Sequence, residues 1–390
     1  MTENDPAMND TTAIDIRPVR NGRLLHAFIR LPHAIYADDP AWVPPLDFDM
    51  RQRLSRRHNP FFEHGEAEYF LAFRGERPVG RITAQINRLH LERYHDDIGF
   101  FGFLEGVDDQ AVFDALLDAA ARWLAERGMR RMRGPFNFSI NEESGLLVDG
   151  FEHPPVILMG HARPYYDARV KAAGLEKVMD LIAYDYPGLQ PVPEAAARLL
   201  RRLLDKGTIT VRPMNKRRLK EELDLIMDIF NDAWSENWGF VPFTPREIRK
   251  MGEELRLIVN DRDVWIAHYK GEPAAMVVTI PDINEIIRDF RGRLLPFNWL
   301  KLIYRLKFAG PTTAVRMPLM GVRRRYQNSA IGTALALAVI DAVRFHQAGR
   351  GVKRGELSWI LETNTRVRHL IESVGGVPYK TYRIYEKPIT

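Results

Sequence analysis

The stretch RMPLMGVRRRYQNSAIGTALALAVIDAV (316–343) decides the fold. Its front, within TTAVRMPLMGV (312–322), reads as a strand, and residues 331–347 carry the apolar spacing of a long helix. Between them stand three arginines and a run of small and polar residues. The first amides of a helix have no intrahelical acceptor and carry the positive end of the macrodipole. Small residues let a ligand's phosphates reach those amides, and Ser329, Ala330 and Gly332 are placed to do so. Arg323, Arg324 and Arg325 are expected to add charge-assisted bonds to phosphate oxygens. The turn reads as an anion cradle for a pyrophosphate. It lacks the Gly-Lys-Ser/Thr of a P-loop and the G-x-G-x-x-G of a dinucleotide fold.

Outward from this stretch the same order of elements occurs twice. Residues 66–88 predict two strands around a Gly turn, and GFFGFL (99–104) is a short apolar run. A helix follows over 111–128, then a strand over 129–136, a long loop over 137–155, a helix over 164–177 and a strand over 180–186. After the break PGLQPVP (187–193) and a short helix over 195–207, a strand restarts at 209–214. Helices are predicted over 219–238 and 245–259, the second opened by Thr244 with Glu247 three residues on, a capping-box spacing. Two strands follow over 263–283, then the strand and helix of the opening stretch, a strand over 355–364, a helix over 365–376 and a strand over 379–387. The expected organisation is a polar tail (1–15), an N-terminal lobe (16–190), a linker helix (191–207) and a C-terminal lobe (208–390), related by an old internal duplication.

Composition limits the function. The 390 residues are 45% hydrophobic and 27% charged, a globular balance. No cysteine occurs, which excludes disulfides, cysteine nucleophiles and thiolate metal sites. A net charge of +5 does not call for nucleic acid; it suits a polyanionic small ligand or an anionic membrane surface. The longest nearly apolar run (330–343) is too short to span a bilayer and carries Asp341. The polar start MTENDPAMNDTTAID resembles no signal or transit peptide, so the chain reads as cytoplasmic, with contact at the inner face of the membrane left open.

The stretch Gln327-Asn328-Ser329-Ala330-Ile331-Gly332 resembles the Q/R-x-x-G-x-G/A coenzyme A loop of the GCN5-related N-acyltransferases, and Leu335 sits where that family commonly has leucine. The strand ending at Asn364, the next helix and Gly375 are similar to the family's following motif. The resemblance implies an α/β (α+β) fold of tandem lobes, each a mixed, mostly antiparallel sheet splayed near its middle and flanked by helices. Acyl-CoA would enter the splay of the C-terminal lobe, with its pyrophosphate on Val322–Thr333, the segment that includes Thr333 itself, and its thioester beside the preceding strand. Two departures stand out: Ala330 replaces the commoner first glycine, and Ile371 stands where many members carry the tyrosine that protonates the leaving thiolate. The corresponding segment of the N-terminal half, EGVDDQ (105–110), is acidic and should repel a pyrophosphate, so that half reads as a degenerate copy. YADDPAWVPPL (36–46), NPFFEHGEAEYFLA (59–72), GPFNFSINEESGLLVDGF (134–151) and NDAWSENWGFVPF (231–243) extend the resemblance to a narrower group of two-lobed bacterial members, some similar to bacterial ceramide synthases, which acylate a sphingoid amine.

Amide formation from a thioester needs a deprotonated amine, a stabilised oxyanion and a protonated leaving sulfur. Glu236, between Trp234 and Trp238, is the first candidate base, because partial burial there would raise its pKa; Asn237 would orient it. The plainer alternative makes the tryptophans core and Glu236 a cap. Glu362 and Asn364 are second candidates, against a solvent-facing strand end. Tyr382 and Tyr385 alternate on the last strand and offer a phenolic acid, or are packing residues. A backbone N–H near Val322 would meet the oxyanion. The Asn141–Ser144 loop reaches the substrate or is a solvated acidic loop. The histidines show no metal spacing, and no metal is expected. The segment RDFRGRLLPFNWLKLIYRLKF (288–308) reads as a basic amphipathic insert, either lying on an anionic bilayer or packed over its own sheet. An acyl-CoA:amine acyltransferase with a hydrophobic acceptor is the leading expectation. An acyltransferase of a small polar amine and a non-catalytic acyl-CoA-binding protein are the alternatives. The oligomeric state is not legible.

Overall fold

The computed structural model describes residues 13–390 apart from Pro191 and Pro193; the tail expected over 1–15 lies outside the described residues as far as residue 12. Most strands carry long apolar stretches, as fits a sheet covered on both faces. In the N-terminal half they are β1 (Ile14–Pro18), β2 (Gly65–Arg74), β3 (Arg77–Asn87), β4 (Ile98–Gly106), β5 (Arg131–Gly134), β6 (Leu146–Asp149) and β7 (Glu176–Pro187). In the C-terminal half they are β8 (Ile209–Pro213), β9 (Val264–Tyr269), β10 (Glu272–Pro281), β11 (Ala314–Val322), β12 (Arg354–Leu361) and β13 (Val377–Pro388).

All thirteen join one mixed sheet in the order β1-β2-β3-β4-β5-β13-β7-β12-β11-β10-β9-β8, with β6 paired to the flank of β13. Each half therefore completes its sheet with the other's last strand. β7 lies against β12, and β13 lies against β5. The antiparallel β7–β13 ladder joins the halves through the middle.

Each half contains one parallel pair that starts together and then parts. β4 meets β5 from Ile98–Arg131 to Phe100–Arg133. β11 meets β12 from Ala314–Arg354 to Met317–Leu357. Beyond those points the strands splay. Helices follow the same duplication: Gly22–Ile35 and Leu219–Trp234 come after the first strand, and Gln110–Ala125 and Ala330–Gly349 after the fourth. The capping box at Thr244 and Glu247 forms as its spacing predicts. The helix Ala330–Gly349 buries Leu335, Val339 and Val343 on a strip made shallow by Ala267, Ala274 and Ala275. Each such aliphatic side chain contributes roughly 1.5–3 kcal/mol by leaving water. That burial fixes the helix start at the end of β11.

Candidate active site

The turn after β11 is shaped by its side chains. Arg324–Tyr326 form one turn of 3-10 helix, Asn328 takes a left-handed φ of 62°, and Ser329 caps the long helix by accepting the Gly332 amide at 3.0 Å. Gly332 is required here, because a Cβ would collide with the Tyr326 carbonyl. Ala330 is the first helical residue, so its methyl costs nothing. Among the described residues the amides of Asn328, Ser329, Ala330 and Ile331 donate to no acceptor in the chain. These four donors lie in a solvent-exposed or half-exposed loop at the positive end of a twenty-residue helix.

The arginine run is not uniformly available to a ligand, which corrects the sequence expectation. Arg323 donates to the Pro273 carbonyl at 2.8 Å and pairs with Asp228. The Arg324 amide donates to Asp232 at 2.7 Å and its guanidinium pairs with Glu236. Asp228, Asp232 and Glu236 recur every four residues and so share one side of their helix and its exit, an acidic rail along the turn. Arg325 makes no ion pair among the described residues and stands 4.8 Å over the Tyr326 ring. Arg366, exposed on the helix after β12, reaches across to the Asn328 side chain. Gln327 braces the turn from within, donating to Val322 O at 2.8 Å and Ala233 O at 3.1 Å. Thr333 is exposed, and Ile331 packs against the core below.

At the other end, where β11 and β12 begin to part, lies a buried polar network. Arg316 of β11 bridges to β12, its Nε donating to Ser358 Oγ at 3.0 Å. Its Nη1 is held by the carbonyls of Ile157 and Leu158 at 3.0 and 3.1 Å. Ser358 donates to Glu356 at 2.6 Å, and the hydroxyl of the half-buried Tyr379 donates to the other oxygen of Glu356. Arg316, Glu356, Ser358, Lys380 and Tyr382 are all buried. Burial lowers the Lys380 ammonium to about 8 and raises the nearby Asp282 carboxyl to about 7. The sequence did offer a signal for this network: Arg316 and Glu356 are charges inside otherwise apolar strands, and such charges must be paired.

Of the candidate catalytic residues, only Tyr382 stands at this vertex. It is wholly buried, and burial raises its phenol well above its ordinary pKa, so the hydroxyl stays neutral. Glu236 is 73% exposed in its side chain and paired with Arg324, not enclosed by the tryptophans as its neighbours suggested. Trp234 instead donates to Met320 O at 3.0 Å and faces Trp359, while Trp238 packs under Arg133 of the N-terminal half. Asn237 serves the turn, its amide bonded to Trp234 O. Glu362 is tied to β7, accepting the Asp180 amide at 3.0 Å and pairing with Lys177 at 2.8 Å. Asn364 caps the following helix. Val322 lies at the cradle end of β11, five residues beyond Met317, the last residue paired with β12. Ile371 is buried against Tyr184 and Leu337 and faces no cleft. Tyr385 is buried and donates to Asp167. Among the described residues no group of three or more potential ligands could hold a metal ion.

The N-terminal splay is filled. The Phe136 amide donates to Phe101 O at 2.7 Å, and the Phe103 amide donates to Asn137 Oδ1 at 2.7 Å. Gly102 has no room for a Cβ beside the Phe136 carbonyl. The equivalent helix start is occupied by Asp109, whose carboxylate accepts the Ala111 amide at 2.9 Å and pairs with Arg74. The Asn141–Ser144 loop is anchored under this plug through Glu142 and Glu143, which clasp Arg53 at 2.8 and 2.7 Å.

The comparisons with known proteins agree with this geometry. The protein YghO of Escherichia coli (strain K12) is 44% identical over 376 residues, 96% of this chain and 95% of that one. A bacterial ceramide synthase of Caulobacter vibrioides (strain NA1000 / CB15N) is 43% identical over 383 residues, 97% of this chain and 99% of that one. A tandem GNAT protein from the clavulanic acid biosynthesis pathway superposes with a TM-score of 0.55 at 13% identity, covering 96% of this chain and 98% of its own. The chain belongs to the tandem GCN5-related N-acyltransferase family. A GCN5-related N-acetyltransferase from Sphaerobacter thermophilus shares the fold at a TM-score of 0.52 and 13% identity, over 96% of this chain and 95% of that one. No protein-family profile matches the chain. As a member of this tandem GNAT family the protein is an acyl-transferring enzyme.

Proposed function

We propose that the protein transfers a long-chain acyl group from acyl-CoA to the amine of a hydrophobic, sphingoid-type acceptor. The observation that carries this reading is the limb of β11 that β12 leaves beyond Met317, still paired with β10 on its other edge, leading to four unclaimed amides at Asn328–Ile331. The cradle fits a diphosphate: the amides converge at a helix start, Gly332 keeps the backbone close, and Arg325 and Arg366 supply exposed charge. The limb from Pro318 to Val322 runs about 13 Å at strand rise. A pantetheine arm laid along it delivers the thioester to the vertex beside Arg316, Ser358 and Glu356. The relative named as a ceramide synthase supports the acceptor class.

The chemistry then falls to the vertex. Holding donor and acceptor in one cleft supplies about 7–11 kcal/mol of the barrier as entropy already lost on binding. The amine arrives protonated. Its proton passes to the Tyr379 oxygen as the Tyr379 proton passes to Glu356, which frees the nitrogen lone pair. Nitrogen bonds to the carbonyl carbon, the C–S bond breaks, the second proton that nitrogen loses reaches the leaving sulfur through solvent, and Glu356 releases the first to solvent. Ile371 offers no proton for that last step.

The test is product analysis by mass spectrometry after incubating the full chain with a long-chain acyl-CoA and a sphingoid base. The expected result is an N-acyl product and free CoA. Glu356→Gln should lower turnover about a hundredfold while keeping the rise in melting temperature caused by the donor. Absence of product with every long-chain pair would overturn the reading. A donor-induced rise without turnover on any amine would favour a binding protein instead.

A further inference from the structure

The helix Asn298–Phe308, in the insert between β10 and β11, is built inside out. One of its three charged residues, Arg305, turns toward the protein, where it pairs with Asp289, donates to the Ile286 carbonyl and stands 5.4 Å over the Phe290 ring. Leu302 packs beside it on Val43 and Ile287. The opposite side presents Trp299, Leu300, Ile303, Tyr304 and Phe308 to water, and none of the helix's residues is buried. Leu295 and Phe297, 75% and 69% exposed, extend the patch at its start. A helix on the surface of a globular protein normally shows the reverse arrangement. A contiguous exposed apolar patch of this kind marks an interaction surface.

The charges decide what covers it. Lys301 and Lys307 are exposed on the helix, and Arg291 and Arg293 are exposed on the turn before it. The acids beside them are already held, Asp289 by Arg305 with Lys301 at 3.9 Å, and Asp47, next to the 291–293 turn, by Arg30 at 3.2 Å. A second copy docking through a two-fold axis would set these cations against themselves. Eleven residues rise only about 16 Å, too short to cross a bilayer. Aromatic and aliphatic side chains interleaved with lysines and arginines match the boundary between acyl chains and anionic headgroups. We propose that this face docks the protein on the surface of an anionic lipid bilayer.

The insert opens beside the vertex: the Asp282 carboxylate accepts the Ile157 amide at 3.0 Å, and the Ile157 carbonyl accepts Arg316. The docking itself does not rest on the proposed acyl transfer.

The experiment uses the full chain and vesicles of phosphatidylcholine, with or without phosphatidylglycerol, in the absence of donor and acceptor. Co-sedimentation is expected only with phosphatidylglycerol and should weaken as salt rises. Trp299→Glu with Ile303→Glu should lower binding at least tenfold. Lys301→Glu with Lys307→Glu should lower it on the order of tenfold, with a smaller salt dependence. All four side chains are exposed, and an unchanged melting temperature checks that each variant is folded. Failure of the parent chain to bind phosphatidylglycerol vesicles would overturn the proposal. So would undiminished binding by both variants, or a loss of dimer mass in the variants with vesicle binding unchanged. A chain that binds vesicles but acylates nothing would leave docking standing and remove only the acyl-transfer reading.

Discussion

In the C-terminal half, β11 and β12 part at Met317 and Leu357, and the limb beyond, paired only with β10, runs to four open amides. In the N-terminal half, β4 and β5 part at Phe100 and Arg133, and the chain closes the gap with Phe136 and Asn137. The helix starts differ in the same sense. Ser329 caps its helix with a neutral hydroxyl, whereas Asp109 brings a carboxylate and an arginine partner. The same frame thus carries two different splays: in the N-terminal half backbone fills the gap, and a side-chain carboxylate meets the helix start. The filled copy still contributes, because its last strand borders β12 and its 154–160 segment holds Arg316.

Four perturbations would break or sharpen this contrast. The largest effect is expected from Gly332→Val, whose side chain would force the Tyr326 carbonyl out of the cradle. Donor-induced stabilisation should vanish and kcat/KM should fall more than a hundredfold, measured by CoA release. A variant with normal donor binding would remove the cradle from the site. Next, Gly102→Ala should lift the plug from the N-terminal splay and cost about 2–3 kcal/mol in denaturant unfolding, since the neighbour that must shift is backbone.

Third comes a pH effect at the open side. Burial raises Asp282 to about 7, so the folded chain keeps a proton that the unfolded chain releases near its ordinary pKa of 3.8. Stability should fall as pH rises through that window, and Glu142, raised to about 7 by burial in the plug, adds in the same direction. Asp282→Asn keeps an acceptor for the Ile157 amide and should flatten the profile, with a gain on the order of 2 kcal/mol at pH 8. A profile as steep as that of the parent chain would assign the slope elsewhere. The smallest effect belongs to Asp109→Ala, about 1 kcal/mol of stability for a lost cap, with turnover unchanged.

Much of the frame was legible in the sequence, because its periodicities are strong and its stops are glycines. The helix start was legible too, since the small residues from Ser329 to Gly332 open a helix where the sequence placed one. The surroundings of Glu236 were not. Glu236 sits between two tryptophans in sequence, but the turn after Trp234 sends its carboxylate outward to Arg324 while the rings turn to opposite partners. Sequence adjacency says little about burial once a helix has ended. The vertex network joins Arg316, Ser358, Glu356 and Tyr379 from three strands with the 154–158 loop, and no local spacing reveals such a set. The strands before the first hairpin and within the 137–155 loop, β1 and β6, are short and were not foreseen.

The exchange of β7 and β13 has a consequence for how the molecule comes into being. During vectorial synthesis the edge of β5 stays open until the ribosome has made the entire second half and released β13. The nascent first half must therefore persist with an unpaired strand exposed, the condition in which β proteins associate wrongly. Once both strands have crossed, neither half can detach without tearing four ladders, those of β13 with β5, β6 and β7 and that of β7 with β12, so the two halves form one folding unit.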